Sequence, residues 1–192
     1  RSKRSIRKTL LDKIKQDKKN FEIVLLSADL NYKELLNQAK FYKVKNLIIT
    51  DIKAFKLVKK IYPKKKFNFF NDYKNFKKIF KSKNDFIMSS ITGLDGLKPT
   101  LNSIKFTKNI LIANKEAIIC GWNLIEKEIL KYKTNFIPVD SEHFSIWSLL
   151  KKHEIRRIDK IFITASGGPF LDLPKRKFPK ISIKSALKHP NW

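Results

Sequence analysis

Four polar residues stand together directly after an apolar run, in the segment "FIPVDSEHFSIW" that spans residues 136–147. Asp140 and Glu142 are two residues apart at the end of a predicted strand, so both carboxylates can turn toward one point before a helix fixes their directions. Hard cations such as Mg²⁺ and Mn²⁺ bind carboxylate oxygens together with substrate oxygens. The same residues suit the start of a helix, where Asp or Ser caps the helix and Glu favours its positive end. From the spacing alone, a metal site and a helix cap both remain open.

Two loops of small residues follow other predicted strands, "SSITG" at 89–93 and "ASGGPF" at 165–170. Backbone N–H groups in such loops can hold a phosphate, and Ser166 adds a hydroxyl group. A tight turn that simply needs glycine explains the same residues equally well. In "ANKEA", Lys115 and Glu116 stand between a strand and a helix, where a lysine can contact a phosphate or polarise a carbonyl. The alternative is a solvated lysine, of which this chain has many.

A structural zinc site and a serine nucleophile are not indicated. The three histidines and the single cysteine do not have the spacing of a zinc site. The sequence also lacks the G-x-S-x-G motif that presents a serine nucleophile in many hydrolases. Metal-assisted or phosphate-binding chemistry therefore fits the polar clusters better.

Short apolar runs alternate with amphipathic stretches along the chain, which predicts a β/α repeat. The predicted strands are residues 21–27, 46–50, 67–70, 85–93, 109–114, 135–139 and 160–165. Their continuous apolar character predicts a parallel sheet covered by helices on both faces, that is, a doubly wound α/β domain. Ligands bind such sheets beyond the carboxyl ends of the strands, which is where the polar clusters lie.

The composition is strongly basic, with 43 Lys and Arg against 17 Asp and Glu and a formal net charge of +26. Because the lysines are scattered rather than clustered, we attribute the charge to composition and expect no nucleic-acid or membrane partner. The alternative is a basic, non-enzymatic module that binds nucleic acid with a steep salt dependence. No apolar run approaches the roughly 20 residues of a membrane span, and no signal peptide is evident. A lone cysteine agrees with a reducing cytosol, so the predicted location is cytoplasmic.

Four blocks of the sequence, in this order, resemble the 1-deoxy-D-xylulose 5-phosphate reductoisomerase family. They are "ANKEAIICGW", "PVDSEHFSIW", "ITASGGPF" and "ALKHPNW". The resemblance implies a Rossmann-like doubly wound parallel sheet over residues 1–134, which binds NADPH, followed by the start of an α+β catalytic domain over 135–192. A different nicotinamide enzyme with a similar sheet is the remaining enzymatic alternative, and it would need another catalytic set.

The resemblance also implies a reaction. The family is an NADPH-dependent oxidoreductase that rearranges and reduces 1-deoxy-D-xylulose 5-phosphate to 2-C-methyl-D-erythritol 4-phosphate, in the non-mevalonate isoprenoid pathway. A divalent ion, Mn²⁺ or Mg²⁺, binds the oxygens of the sugar phosphate, and the full-length enzyme is expected to be a homodimer.

Residue roles follow from the same resemblance. The implied metal ligands are Asp140 and Glu142. The implied catalytic residues are Lys115, Glu142 and His189. The implied substrate contacts are Lys115, Ser141, Glu142, Ser166, His189 and Trp192, with Trp192 as the aromatic residue of a flap over the substrate. The implied cofactor contacts are Lys3, Arg4, Ser5, Ile6, Asn31, Asn114 and Glu116.

The sequence departs from the family at several points. The family opens with a strand and a "GSTGSIG" loop around the cofactor's phosphates, whereas "RSKRSIR" stands here, with arginine at all three glycine positions. Glycine is needed there because the backbone must turn tightly and approach the pyrophosphate. Asp29 stands where the family usually has glycine, and its carboxylate would repel the cofactor's 2′-phosphate. The family's third carboxylate ligand follows the segment that ends at Trp192, so we expect these 192 residues alone to be inactive.

Overall fold

The structure is a computed structural model that describes residues 6–62, 66–151, 153–162, 169–170 and 172–188, without the side chains of residues 6–8, 141 and 142. The strands are β1 (Leu25–Ala28), β2 (Asn46–Ile49), β3 (Asn68–Phe70), β4 (Asn84–Ser89), β5 (Thr107–Ile112) and β6 (Asn135–Pro138). The α-helices are α1 (Ile6–Gln16), α2 (Tyr32–Phe41), α3 (Ile52–Ile61), α4 (Phe76–Ile79), α5 (Leu97–Ile104), α6 (Lys115–Tyr132), α7 (Ser141–Leu150) and α8 (Ile183–Ala186). Short 3₁₀ helices occupy Tyr73–Asn75, Leu94–Gly96, Ile155–Arg157 and Lys175–Lys180.

The chain divides into two compact units, residues 1–144 and residues 145–192. All six of the strands above belong to the first unit. In the described part of the chain, no helix has the length and apolar character needed to cross a bilayer.

The strands form two parallel sheets of three strands each, with orders β1-β2-β3 and β4-β5-β6. We call them the first sheet and the second sheet. In the first sheet Leu26 pairs with Leu47, and in the second sheet Ile110 pairs with Phe136. Each parallel connection contains a helix, as the geometry of parallel strands requires. All carboxyl ends within one sheet therefore point to the same edge.

Helices cover both faces of the first sheet. Leu47 and Ile49 of β2 belong to one core cluster with residues of α2 and α3. Ile48, between them, belongs to a different cluster with Phe76 and other residues of and next to α4. Because successive side chains of a strand point to opposite faces, these clusters lie on opposite sides of the sheet. This confirms the doubly wound arrangement that the continuous apolar strands predict.

The second sheet is covered in the same alternating way. Ile110 and Ile112 of β5 are fully buried against Ile104 of α5 and Ile125 of α6. Leu111, on the other face of β5, lines a groove of about 300 Å³. The other residues of the groove are Met88 and Val139 beside it and Thr9, Leu10 and Lys13 of α1.

Four predicted strands differ from the observed ones by more than one residue at an end. The strand predicted at 85–93 ends at Ser89, because the chain leaves the sheet there for the loop that contains Gly93. The strand predicted at 21–27 begins at Leu25, because its neighbour β2 begins at the paired residue Asn46. The strand predicted at 109–114 ends at Ile112, because Asn114 turns away to cap α6. Of the strand predicted at 160–165, residues 160–162 are described and form no strand, and the rest lies outside the description.

Candidate functional site

The polar residues of the second sheet meet at its carboxyl edge. Ser89 pairs with Ile112, and Ile112 pairs with Pro138, so the three strands end level with one another. The pairing continues one residue further, since Ala113 N–H donates to the carbonyl of Ser89 and Val139 N–H to that of Ile112. Asn114 and Asp140 each come next, just beyond the ends of the neighbouring strands β5 and β6. These two predicted contacts therefore lie at the same edge of the second sheet.

Asp140 caps helix α7. The backbone N–H of His143 donates to Asp140 Oδ1 at 2.9 Å, and Phe144 N–H donates to the Asp140 carbonyl at 3.0 Å. The His143 ring adds a second bond to the same carboxylate oxygen, from Nδ1 at 2.6 Å. The helix-cap interpretation of this segment is therefore correct for one of the two carboxylate oxygens.

The other oxygen, Asp140 Oδ2, is buried and has no hydrogen-bond partner among the described residues. The residue is only 5% exposed, so water does not solvate this oxygen freely. Burial raises the pKa of the Asp140 carboxyl, but hydrogen bonds from the backbone and ring of His143, with the charge of that ring, lower this pKa below its ordinary value. A buried, ionised oxygen without a partner is costly unless a ligand binds it, and a cation is the natural ligand.

Asn114 holds the edge of the second sheet together. Its Oδ1 caps α6 by accepting from Ala117 N–H at 3.0 Å. Its Nδ2 donates to the carbonyls of Ile91 and Gly93, the latter at 2.7 Å. Asn114 is 3% exposed, so these bonds occupy most of the hydrogen-bonding capacity of its amide.

The "SSITG" loop needs its glycine for conformation. Gly93 has φ +72° and ψ −170°, a region that is essentially restricted to glycine. A few residues on, a Cβ at Gly96 would overlap with Asn114 Nδ2 and the carbonyl of Ile91. The tight-turn interpretation of this loop is therefore supported.

Lys115 and Glu116 form the first turn of α6, immediately after the Asn114 cap. Lys115 is partly buried and Glu116 is exposed. Their side chains begin at the same carboxyl edge as Asp140, because α6 follows β5 and α7 follows the neighbouring strand β6.

The first sheet also ends in polar residues, but these satisfy one another. Thr50 Oγ1 donates to Asp29 Oδ1 at 2.7 Å, joining the residues that follow β2 and β1. Asp51 caps α3 by accepting from Ala54 N–H at 2.7 Å. Asn31 caps α2 by accepting from Glu34 N–H, and its amide donates to the Glu34 carboxylate at 2.8 Å.

The structure places four of the residues that the sequence singles out at the carboxyl edge of the second sheet, namely Asn114, Lys115, Glu116 and Asp140, and it places Asn31 at the edge of the first sheet. The remaining predicted residues cannot be compared in the same way. Lys3, Arg4, Ser5, Ser166, His189 and Trp192 lie outside the described residues, as do the side chains of Ile6, Ser141 and Glu142.

Two functional features were missed at the sequence level. His143 shares the Asp140 carboxylate, a role that the sequence did not predict. Its position three residues after a capping aspartate is a signal, because the N3 residue lies over the cap. The Thr50–Asp29 bond gave no signal, since it depends on the alignment of two strands 21 residues apart in sequence. Among the described side chains, no group of three or more His, Cys, Asp or Glu residues could hold a metal ion.

Comparisons with known proteins give one family. The 1-deoxy-D-xylulose 5-phosphate reductoisomerase family matches residues 2–121, and its C-terminal domain matches residues 136–192. The reductoisomerase of Pelagibacter ubique is 56% identical over 190 residues, which is 98% of this chain and 49% of that protein. The enzyme of Clostridium acetobutylicum is 34% identical over 98% of this chain and 50% of its own length. The chain thus spans about half the length of the curated relatives it matches.

Solved structures agree with the described fold. The reductoisomerase of Zymomonas mobilis in complex with NADPH has a TM-score of 0.80 and 28% identity, over 96% of this chain and 49% of that one. A second reductoisomerase, in complex with NADPH, fosmidomycin and magnesium, has a TM-score of 0.77 and 26% identity, over 98% and 49%. Both are similar to this chain across both units, and they confirm the Rossmann-like α/β class predicted from the sequence.

Proposed function

Since the chain belongs to the 1-deoxy-D-xylulose 5-phosphate reductoisomerase family, we propose that it carries the nucleotide-binding domain and part of the metal and substrate site of such an enzyme. The proposed reaction is the NADPH-dependent rearrangement and reduction of 1-deoxy-D-xylulose 5-phosphate to 2-C-methyl-D-erythritol 4-phosphate, in isoprenoid synthesis. We assign residues 1–134 to nucleotide binding and 135–192 to the catalytic domain. We also propose that the full-length enzyme is cytoplasmic and homodimeric, and that it has no nucleic-acid or membrane partner.

The observation that carries the proposal is the buried Asp140 Oδ2 without a partner. The described residues leave this oxygen unused, while Oδ1 is fixed by His143. A hard cation fits such an oxygen, so Asp140 would hold Mg²⁺ or Mn²⁺ together with Glu142. When bound, the ion supplies a Lewis acid that polarises substrate oxygens and stabilises negative charge on them. His143 orients the carboxylate, in the manner of the outer partners that position metal ligands.

Lys115, which lies at the same carboxyl edge of the second sheet as Asp140, is a proposed contact for the substrate. It opens α6, whose first turn carries the positive end of the helix dipole. A lysine at this point supplies a compact positive charge for an anionic sugar phosphate. Ser141, Ser166, His189 and Trp192 remain proposed substrate contacts by their match to the family.

Asn31 and Asn114 support nucleotide binding chiefly because they hold the loops after β1 and β5 in place. Both amides are engaged in helix caps, so they shape the loops after β1 and β5 rather than offer free hydrogen bonds. We propose that backbone groups of these loops, with Lys3, Arg4, Ser5, Ile6 and Glu116, contact NADPH. The cofactor supplies the hydride for the reduction.

A binding experiment tests the proposal without requiring turnover. Binding of 1-deoxy-D-xylulose 5-phosphate to the chain is measured calorimetrically with 1 equivalent and with excess Mn²⁺, for the wild type and for Lys115→Met. We expect Mn²⁺ to strengthen sugar-phosphate binding, and the variant to weaken it about tenfold, the usual worth of a charged hydrogen bond.

The matched control is Lys108→Met, because Lys108 lies near the amino end of β5 and pairs with Asp85 at 2.8 Å on the opposite edge. It should bind like the wild type. Binding that does not depend on Mn²⁺, or equal losses in the two lysine variants, would contradict the proposed site and would point to the net charge alone.

A further inference from the structure

Two donors of His143 converge on a single oxygen of Asp140. The backbone N–H donates to Asp140 Oδ1 at 2.9 Å, and the ring Nδ1 donates to the same oxygen at 2.6 Å. An ionised carboxylate has about four acceptor positions, shared equally by its two oxygens. The two bonds from His143 therefore occupy Oδ1, while Oδ2 stays open among the described residues.

The ring bond does not depend on the charge of the histidine. The pKa of Asp140 lies below its ordinary value, so the carboxylate is ionised at neutral pH and can only accept hydrogen bonds. The proton of the bond therefore lies on Nδ1 of His143. A neutral ring and a protonated ring can both carry a proton there.

Helix capping explains the backbone bond but not the ring bond. Asp51 caps α3 with the same kind of backbone bond, from Ala54 N–H to Oδ1 at 2.7 Å. The capping donor there is an alanine, which has no side-chain donor, and α3 forms nevertheless. The ring of His143 thus does something that a cap does not require.

The ring bond holds the Asp140 carboxylate in one orientation. The Asp140 side chain is 7% exposed, and His143 belongs to the first turn of α7, so the helix fixes the position of both donors. Turning the carboxylate to present Oδ1 to a ligand would break two hydrogen bonds in a place that water hardly reaches.

We propose that His143 limits Asp140 to one metal-binding oxygen, Oδ2, and that this restriction makes the site select Mg²⁺ and Mn²⁺ over Ca²⁺. The inference rests on the proposed function and names the residue that sets its metal selectivity. His143 acts here as a positioning residue, through Asp140.

The coordination chemistry of the ions gives the reason. Ca²⁺ takes about six to eight oxygen ligands and often binds both oxygens of one carboxylate. Mg²⁺ is smaller and demands an octahedral arrangement, with one or two carboxylates and several waters. A carboxylate that offers only Oδ2 satisfies an octahedral ion and supplies one oxygen too few for the larger ion.

The test is the ratio of Mn²⁺ to Ca²⁺ affinity of the 192-residue chain. Mn²⁺ binding is followed by electron paramagnetic resonance, and Ca²⁺ binding by its competition with Mn²⁺. We expect the wild type to favour Mn²⁺. His143→Leu removes the ring donor and keeps a side chain branched at Cγ, so its Mn²⁺ affinity should fall about tenfold, as for other outer partners of a metal. Its ratio should fall at least about threefold, because Oδ1 becomes available to Ca²⁺.

Three further variants separate positioning from general damage. His143→Asn carries an amide nitrogen on the same Cγ, so it can donate to Oδ1 and should bind both ions within about twofold of the wild type. His143→Ala lacks the donor in a residue that favours helices, and it should repeat the loss seen with leucine. His153→Leu is the control, because His153 is an exposed histidine outside the site, and its removal should change neither affinity.

Two results would overturn the inference and leave Asp140 as a metal ligand. One is an unchanged ratio in the leucine and alanine variants of His143, and the other is a His143→Asn variant as impaired as they are. Equal Mn²⁺ affinities for the wild type and Asp140→Asn would overturn both this inference and the proposed metal site.

Discussion

Two aspartates cap the helix that follows a strand, one in each sheet, and among the described residues only Asp140 has a buried carboxylate oxygen without a partner. Asp51 follows β2 and Asp140 follows β6, and each caps the next helix through Oδ1. Their backbone carbonyls also make equivalent bonds. The Asp51 carbonyl accepts from Phe55 N–H at 2.9 Å, and the Asp140 carbonyl accepts from Phe144 N–H at 3.0 Å. The difference is burial, because Asp140 Oδ2 is enclosed without a partner while Asp51 is partly exposed.

The comparison shows that a helix cap and a ligand site are compatible in one residue. A cap needs one carboxylate oxygen, and a metal ion needs another. What separates the two aspartates is therefore the surroundings of the second oxygen and not the sequence pattern around them. The two asparagine caps, Asn31 and Asn114, differ in the same way, the first exposed and the second buried.

We expect the largest loss of stability when these capping asparagines are replaced. Asn114→Ala removes a cap and the two amide bonds to the half-buried carbonyls of Ile91 and Gly93, of which Gly93 keeps a bond from Gly96 N–H. The free energy of unfolding should therefore fall by about 3 kcal/mol. Asn31→Ala removes only an exposed cap and should cost about 1 kcal/mol. Urea unfolding measures both. Equal losses would show that the second-sheet edge is no more tightly held than the first.

The next effect concerns the loop that Asn114 holds. Gly93→Ala forces a side chain into a conformation with φ +72° and should cost about 2 kcal/mol in the free energy of unfolding. Leu30→Ala, in the corresponding loop of the first sheet, removes an exposed side chain and should cost less than about 0.5 kcal/mol. Thermal unfolding of the two variants checks this, and an unchanged midpoint for Gly93→Ala would refute the conformational argument.

A smaller effect depends on pH. Because the pKa of Asp140 is lowered in the folded chain, its ionised form stabilises the fold at neutral pH. This contribution is complete above the ordinary pKa of an aspartate, near 4, and is lost as the pH falls through the lower folded value. The wild type should exceed Asp140→Asn in stability by about 1 kcal/mol at pH 7, with the gap closing below about pH 4. A gap that is constant between pH 7 and pH 3 would exclude this charge effect.

The smallest effect is expected at the surface of the first sheet. Thr50→Val removes the bond to Asp29, but water can replace it because Asp29 is exposed. We expect a loss of less than about 0.5 kcal/mol in the free energy of unfolding. A larger loss in urea unfolding would mean that this edge is as tightly held as that of the second sheet.

Much of the fold followed from local pattern. Leu47, Ile48 and Ile49 of β2 are apolar, and the two isoleucines are β-branched, which predicts a buried parallel strand, and the structure has one there. Strand ends were less accurate, because they depend on where a neighbouring strand begins or a cap turns the chain away, as at Leu25 and Asn114. Residues 160–162 look like strand by composition, but they form none among the described residues.

The candidate site was predictable in part. The spacing of Asp140 and Glu142 after an apolar run left both a cap and a metal ligand open. Asp140 Oδ1 forms the cap, and the metal ligand remains a prediction. The burial of Oδ2 and the bond from His143 depend on side-chain orientation and packing, which spacing does not specify. Likewise, Asn114 was expected to contact the cofactor, but its amide is engaged within the protein.

Mn²⁺ binding by Asp140→Asn and Asp51→Asn, followed by electron paramagnetic resonance, tests the central claim most directly. Both variants keep an oxygen that can cap a helix, and both lose one negative charge, so they differ only in the position of the lost carboxylate. We predict that Asp140→Asn weakens Mn²⁺ binding at least about 30-fold, because even outer partners of a metal are worth about 10–100-fold. Asp51→Asn should bind within about twofold of the wild type. Equal Mn²⁺ affinities for the two variants would contradict the assignment of Asp140 as a metal ligand.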